Sequence, residues 1–216
     1  MAAFDNGLAL GADGLELDVR LSLDGEVVVH HDATLDRTTT LRGPIAARRA
    51  AELAAAGVPT LAAVLARYAD APVIVEMKVN TPAFAEAVVG VVRAAGAVTR
   101  VCLGSFGLRV LRAVRTIEPS IATSAAREEV RWALYRSWCR WPVSRPAYAG
   151  YQVPEYAGRT RVVSPRFVAD AHRAGLAVQV WTVDTEEAAD RLLGWGVDAL
   201  ITDRPDIIVP LCKALR

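Results

Sequence analysis

Cysteine and histidine are scarce in this sequence of 216 residues, its net charge is almost zero, and it has no long apolar run. The three cysteines, Cys102, Cys139 and Cys212, are too far apart to suggest a disulfide framework or a zinc site. A net charge of +1 argues against a nucleic-acid partner. No apolar run reaches the ~18 residues of a transmembrane helix, and the first residues lack the pattern of a signal peptide. These absences predict a cytoplasmic protein.

What the sequence does contain is a hydrophobic fraction of 53% and a regular alternation of short apolar strands with helices. Asp24-Gly25 predicts a hairpin turn, with Glu26–His31 as the returning strand. Such an alternation is typical of a parallel sheet covered by helices. The strands predicted to alternate with helices are Leu15–Ser22, Val73–Lys78, Val101–Phe106, Ile121–Ser124, Ala149–Val153, Ala177–Val183 and Ala199–Thr202.

Seven alternating strands, with a helix before the first, predict an α/β fold of the TIM-barrel type, a (β/α)8 barrel that lacks its first strand. The length suits one barrel domain over residues 1–216. The alternative is an open, doubly wound sheet, which is disfavoured because no strand is followed by a glycine-rich phosphate loop.

Charged side chains fall near the ends of several predicted strands, where the active site of a barrel lies. Glu16 and Asp18 are two residues apart and therefore share one face of a strand, and Glu76 and Lys78 repeat the pattern. Three carboxylates without a His or Cys cluster indicate an oxygen site for Mg²⁺ or Ca²⁺. The plainer interpretations are solvated acids at a strand end, and a Lys78 that only pairs with Glu76. Gln152, also near a strand end, is a candidate substrate contact.

Several motifs occur together and in order along the chain. They are Gly14-Leu15-Glu16-Leu17-Asp18-Val19, Val29-His30-His31-Asp32-Ala33-Thr34-Leu35-Asp36-Arg37-Thr38-Thr39, Val75-Glu76-Met77-Lys78, Ser105-Phe106, Val180-Trp181-Thr182-Val183-Asp184 and Gly196-Val197-Asp198-Ala199-Leu200-Ile201-Thr202-Asp203-Arg204-Pro205-Asp206. Each is weak alone, but the set resembles the bacterial glycerophosphodiester phosphodiesterase family over essentially the whole chain.

The resemblance implies a barrel enzyme of lipid and glycerol metabolism, which hydrolyses glycerophosphodiesters to sn-glycerol 3-phosphate and an alcohol with a divalent cation. It implies that Glu16, Asp18 and Glu76 bind the metal ion. It also implies that His31 is a catalytic histidine, that Lys78 contacts the phosphate and that Trp181 lines the substrate pocket. From the residues themselves, Arg37 and Thr38 are expected to fix the loop after His31 rather than to touch substrate.

The sequence departs from the family pattern at its start. The pattern opens with His-Arg-Gly on a first strand and Pro-Glu-Asn-Thr after it, and neither motif occurs in this sequence. The departure predicts a missing eighth strand, a missing second catalytic histidine and a missing phosphate-binding arginine. The alternative function is therefore a non-catalytic or truncated member that binds phosphodiesters.

One stretch lies outside the motifs. Between Arg131 and Trp141 the sequence contains Trp132, Trp138 and Trp141 together with three arginines. This composition is typical of a weak membrane-surface contact. The alternative is a helix that packs its Trp side chains against the barrel with the arginines outside.

Overall fold

The computed structural model describes residues 1–139, 141 and 146–214, and these form two compact units. The first unit contains Met1 and Asp13–Ala122, and the second contains Ala2–Ala12 and the described residues from Thr123 onward. In chain order the elements are α1 (Ala2–Leu10), β1 (Leu15–Leu21), β2 (Val27–Val29), a 3₁₀ turn (Ile45–Ala47), α2 (Ala50–Ala55), α3 (Leu61–Arg67), β3 (Val73–Met77), α4 (Pro82–Ala94), β4 (Val101–Gly104), α5 (Leu108–Ile117), β5 (Ala122–Thr123), α6 (Arg127–Trp138), β6 (Gly150–Pro154), β7 (Tyr156–Ala157), β8 (Thr160–Arg161), α7 (Pro165–Arg173), β9 (Ala177–Trp181), α8 (Glu186–Gly194), β10 (Ala199–Leu200) and α9 (Pro205–Ala214).

The first unit is built on a sheet in which β1, β3 and β4 run parallel and β2 returns antiparallel to β1. β5, whose first residue ends this unit, follows β4 in the strand order. Along β1 the residues Leu15, Leu17 and Val19 are buried, whereas the acidic residues between them are only partly buried. The period of two therefore places an apolar face on one side of the strand and the charged residues on the other.

The helices begin where side-chain oxygens can cap them. The side chains of Thr60, Thr81, Ser164 and Thr185 each accept a hydrogen bond from a backbone N–H in the first turn of α3, α4, α7 and α8. α4 and α7 also start with a proline, whose lack of an N–H does no harm in the first turn. The sequence predicts helices that begin at Leu61, Pro82, Pro165 and Glu186, and these four starts are confirmed.

The second unit contains a separate three-stranded parallel sheet in the order β10-β9-β6. Here too α1 packs against α9, and the Lys213 ammonium donates a hydrogen bond of 3.3 Å to the Leu10 carbonyl. Gly11 ends α1 with a φ of +98°, a conformation that favours glycine. A short antiparallel hairpin of β7 and β8, which the sequence analysis did not predict, follows β6.

The seven strands expected to alternate with helices are all present, as β1, β3, β4, β5, β6, β9 and β10. The predicted α/β class with parallel strands is therefore confirmed. The sequence also predicts a last helix over Pro205–Leu215. α9 is described to Ala214, and Leu215 lies outside the described residues. Over the described ranges, no helix is both long and apolar enough to cross a membrane.

The structure contradicts one of the two interpretations of the Trp-rich stretch, the one in which its Trp side chains pack inward. α6 buries Ala133, Leu134 and Ser137, whereas the side chains of Trp132 and Trp138 are 68% and 55% exposed. Trp141, beyond the helix, is 70% exposed. The expectation that these Trp side chains pack inward is wrong, because small residues and Leu134 occupy the inward face instead. Arg140, the third arginine of the stretch, lies outside the described residues.

Candidate active site

Two neighbouring parallel strands of the first unit bring three charged side chains together. The register pairs Asp18 of β1 with Glu76 of β3, and Lys78 follows directly after β3. The Lys78 ammonium lies 2.7 Å from Oδ1 of Asp18, and both side chains are largely buried. Because paired residues on parallel strands project from the same face, Asp18, Glu76 and Lys78 form one polar cluster. Glu16 lies one pair earlier on this face, opposite Ile74.

Of this cluster, Glu76 is the residue whose negative charge is opposed by burial. Its carboxyl accepts a hydrogen bond from the backbone N–H of Phe106, but within the described residues its buried Oε1 has no hydrogen-bond partner. Burial raises the pKa of Glu76 from 4.5 to about 7, and the negative charge of Asp18 adds to this effect while the Lys78 ammonium opposes it. A buried carboxylate oxygen without a partner is costly unless a cation or a proton compensates it.

The donor set fits a hard divalent cation in its chemistry. Glu16, Asp18 and Glu76 offer only carboxylate oxygens, which Mg²⁺ and Ca²⁺ prefer, and Oε1 of Glu76 is an oxygen that lacks a partner in the described part of the chain. In the described ranges, however, no three His, Cys, Asp or Glu side chains lie close enough together to hold a metal ion as they stand. In this arrangement Lys78 supplies the positive charge next to Asp18.

His31 is held by a chain of two charged side chains. Its Nδ1 lies 2.7 Å from Oδ1 of Asp32, and Nε of Arg37 donates a 2.7 Å hydrogen bond to the other Asp32 oxygen. These two partners hold the pKa of Asp32 well below its usual range, Arg37 being the stronger influence. A carboxylate on Nδ1 fixes the ring orientation and leaves Nε2 as the nitrogen that can exchange a proton with a ligand. The predicted role of Arg37 in fixing this loop is confirmed.

The backbone around His31 is tied to β1. The His30 N–H donates to the Asp18 carbonyl at 2.9 Å, and the Arg20 guanidinium donates two hydrogen bonds, of 3.0 and 2.8 Å, to the His31 carbonyl. The strand that carries Asp18 therefore also positions the histidine loop. Arg20 lies two residues after Asp18, just as Asp18 lies two residues after Glu16. This spacing could have identified Arg20 as a residue of the site from the sequence.

The loop after β4 completes this face of the first unit. The buried Ser105 hydroxyl donates to the Met77 carbonyl at 2.7 Å, which joins the ends of β3 and β4. The next side chain, Phe106, is 45% exposed, and its ring centroid lies 5.8 Å from the Lys78 ammonium. An exposed aromatic ring next to a cation provides an apolar wall for a ligand that the cation binds.

Two further residues named from the sequence belong to the second unit. Gln152 and Gln179 occupy paired positions on β6 and β9, and Nε2 of Gln152 donates to Oε1 of Gln179 at 2.9 Å. Trp181 ends β9, on the same partly buried face as Gln179. Gln179 was missed by the sequence analysis, although a lone polar residue between Val178 and Val180 marks it in the sequence.

Comparison with known proteins gives the same assignment as the motifs. The model of the glycerophosphoryl diester phosphodiesterase family matches residues 1–207. The chain belongs to this family. It is thereby a phosphodiester hydrolase by class, and the resemblance found in the sequence is confirmed.

Relatives in the family cover nearly the whole chain. A glycerophosphodiester phosphodiesterase of Caldanaerobacter subterraneus subsp. tengcongensis is 29% identical over 99% of this chain and 91% of its own length. The crystal structure of a glycerophosphodiester phosphodiesterase from Agrobacterium tumefaciens superposes with a TM-score of 0.77 at 28% identity, covering 97% of this chain and 91% of that one. A Thermotoga maritima glycerophosphodiester phosphodiesterase gives a TM-score of 0.73 at 25% identity, covering 100% of this chain and 90% of that one. The fold is therefore that of the family.

One detail of the predicted site differs from the geometry. Lys78 was given an alternative role as an ion-pair partner of Glu76, but its ammonium pairs with Asp18 instead. The physical reason is the parallel register, which places Asp18 beside Glu76 and so offers Lys78 a second carboxylate across the strands.

Proposed function

We propose that this chain is a divalent-cation-dependent glycerophosphodiester phosphodiesterase, which adds water to a glycerophosphodiester and releases sn-glycerol 3-phosphate and an alcohol. Family membership supports the reaction class. The observation that carries the cation dependence is Oε1 of Glu76, which is buried and unpartnered within the described residues. We propose a cytoplasmic location on the basis of the scarce, widely spaced cysteines.

Glu76, Asp18 and Glu16 are the residues that would hold the cation, Mg²⁺ or Ca²⁺. A bound cation would neutralise negative charge on the phosphate as the reaction proceeds. The Lys78 ammonium, beside Asp18 at 2.7 Å, binds a phosphate oxygen. The exposed ring of Phe106 next to it forms an apolar wall for the organic part of the substrate.

His31 is the proton donor. In hydrolysis the P–O bond to the alcohol breaks while a water oxygen bonds to phosphorus, and the departing alkoxide takes a proton from Nε2 of His31. The attacking water releases its proton to solvent, and His31 regains a proton from solvent after the alcohol has left. Asp32, held by Arg37, keeps the ring in the orientation in which Nε2 is the exchanging nitrogen.

Trp181 and Gln152 are proposed substrate contacts in the second unit. Trp181 ends β9 and Gln152 lies near the end of β6, which are the strand ends where an α/β fold carries its ligand. The hydrogen bond from Gln152 to Gln179 fixes the orientation of its amide.

The proposal is tested by following sn-glycerol 3-phosphate released from glycerophosphocholine, with Mg²⁺, with Ca²⁺ and with a chelator. We expect activity that requires one of the cations and falls by about 10²-fold or more in Glu76→Gln and His31→Ala. Lys78→Met should mainly raise KM, because it removes a phosphate contact. Glu86→Gln, an exposed acid on α4, is the matched control and should leave the rate unchanged.

The competing function is phosphodiester binding without turnover. It would be favoured if calorimetry detected tight binding of glycerophosphocholine while the wild-type chain released no sn-glycerol 3-phosphate with either cation. Full activity in the chelator would overturn the cation dependence.

A further inference from the structure

A concentration of exposed aromatic side chains distinguishes one region of the second unit. Of the nine large apolar side chains exposed in the described part of the chain, four lie between positions 132 and 141. They are Trp132, Tyr135, Trp138 and Trp141, exposed by 68%, 51%, 55% and 70%. Single exposed apolar residues need no explanation, but a contiguous set of this kind marks an interaction surface. We call these four side chains the aromatic patch.

Three of the four side chains of the patch belong to α6, and Trp141 lies just beyond the helix. α6 fixes its orientation by burying Ala133, Leu134 and Ser137 on one side. Trp132, Tyr135 and Trp138 follow each other at three-residue spacing on the other side, and the rings of Tyr135 and Trp138 meet edge to face at 5.5 Å between centroids. The rings of Trp132, Tyr135 and Trp138 are therefore held outward by the same packing that anchors the helix.

The chemistry of the patch favours a lipid surface. Trp and Tyr are the residues enriched where protein meets the membrane–water interface, because an apolar ring and a polar N–H or O–H suit that boundary. The patch contains no Leu, Ile, Val or Met, the residues that usually form the centre of a helix-binding groove. It lies beside the exposed Arg131, whose long side chain can reach lipid phosphates.

The net charge of this stretch of the sequence indicates which kind of lipid headgroup it favours. Counted over the sequence alone, positions 127–145 contain five Arg and two Glu, a net charge of +3, whereas the whole chain has a net charge of +1. The remainder of the chain is therefore negative by 2. Of the two Glu, Glu129 is turned back to cap the start of α6, where it accepts from the Ala126 N–H at 2.8 Å. A positive excess in this stretch of the sequence, in a chain whose remainder is negative, favours anionic headgroups.

We infer that the aromatic patch of α6 docks the protein, reversibly, on the surface of an anionic phospholipid bilayer. The rings enter the headgroup region and Arg131 pairs with lipid phosphates. Docking is interfacial and peripheral, because the patch consists of one face of α6 and the Trp141 side chain just beyond it, and the described residues contain no membrane-spanning helix. The inference does not depend on the proposed phosphodiesterase activity.

The test is flotation of the full chain with phosphatidylcholine vesicles, with or without a one-third share of phosphatidylglycerol. We expect binding to the anionic vesicles, weakened by salt, with a blue shift of Trp fluorescence on binding. The double variant Trp132→Ser, Trp138→Ser should lose at least about tenfold in partitioning. Leu23→Ser, a change at an equally exposed apolar residue in the first unit, is the matched control and should bind as the wild type does.

Charge is tested separately. Arg131→Glu should reduce binding to anionic vesicles but not the weak binding to neutral ones, whereas Arg112→Glu on α5 should change neither. Circular dichroism of each variant ensures that a loss of binding is not a loss of folding.

Three results would overturn the inference. They are no binding of the wild-type chain to anionic vesicles, equal binding by the Trp double variant, and a wild-type dimer that the same double variant dissociates. The last outcome, measured by light scattering, would assign the patch to a second copy of the chain.

Discussion

Replacing Glu76 with glutamine should make the cation-free protein more stable at alkaline pH while removing its function. The change keeps the size of the side chain but removes the charge from a carboxyl whose Oε1 is buried and unpartnered in the described residues. Functional sites often carry such a cost, so a variant that gains stability and loses activity is a specific expectation.

The magnitude follows from the pKa of Glu76, which burial raises from 4.5 to about 7. Between these values the folded chain keeps the Glu76 proton whereas the unfolded chain loses it, so the free energy of unfolding falls as the pH rises. At ~1.4 kcal/mol for each pH unit, the accumulated loss is about 3 kcal/mol once the pH passes 7. The Glu76→Gln variant has no such loss, because glutamine does not titrate.

The assay is urea unfolding of both chains in a chelator, at intervals from about pH 4 to pH 8. Groups that do not interact with Glu76 titrate alike in the two proteins, so the difference between the curves reports on Glu76 and its coupling to Asp18 and Lys78. It should be small near pH 4.5 and reach about 3 kcal/mol in favour of the variant above pH 7. Glu86→Gln, at an exposed position of α4, should give a difference that does not change with pH.

Adding Mg²⁺ or Ca²⁺ extends the same experiment. A cation that binds Glu76 stabilises the wild-type chain by about 2.7 kcal/mol at a hundred times its Kd, and this gain should be absent from Glu76→Gln. Parallel stability curves for the two chains in chelator would refute the assignment of the burial cost to Glu76. An equal gain from the cation in both chains would refute its role as a ligand.

Two further predictions concern residues around the site. Asp32→Asn should lower kcat by about tenfold or more with little change in KM, because it removes the carboxylate that orients His31 without removing a substrate contact; steady-state kinetics on glycerophosphocholine checks this. Gly107→Ala should destabilise the fold by about 1–2 kcal/mol in thermal unfolding, because a Cβ there would lie 2.2 Å from Cγ of Asn80, whose side chain caps the start of α5. Gly90→Ala, in the open middle of α4, is its matched control and should be neutral or stabilising by up to about 1 kcal/mol.

Local sequence chemistry was enough to predict most of the elements. A threonine followed by proline at Thr81-Pro82 identifies the start of α4, and the alternation of Leu15, Leu17 and Val19 with acids identifies both faces of β1. The family motifs then named Asp18, Glu76 and Lys78. These features depend on residues within a few positions of each other, which is why they can be read from the sequence.

The interactions inside the site could not be predicted in this way. The ion pair of Lys78 with Asp18 joins residues 60 positions apart and depends on the register of β1 against β3. The orientation of Trp132 depends on which side of α6 packs, and the helix has charged and aromatic residues on several sides. The β7–β8 hairpin escaped prediction because each of its strands is only two residues long and exposed.

The packing of α1 against α9 has a consequence for how the chain folds as it is made. The hydrogen bond from Lys213 to Leu10 spans 203 positions, one of the most non-local contacts that a chain of 216 residues can make. The first unit is continuous from Asp13 to Ala122 and can form while the rest is still being synthesised. At ~5–20 residues per second, α1 waits for roughly 10–40 seconds after it is made before its partner helix exists. During that interval the nascent chain exposes α1 to chaperones and proteases, so the second unit is where synthesis is most vulnerable.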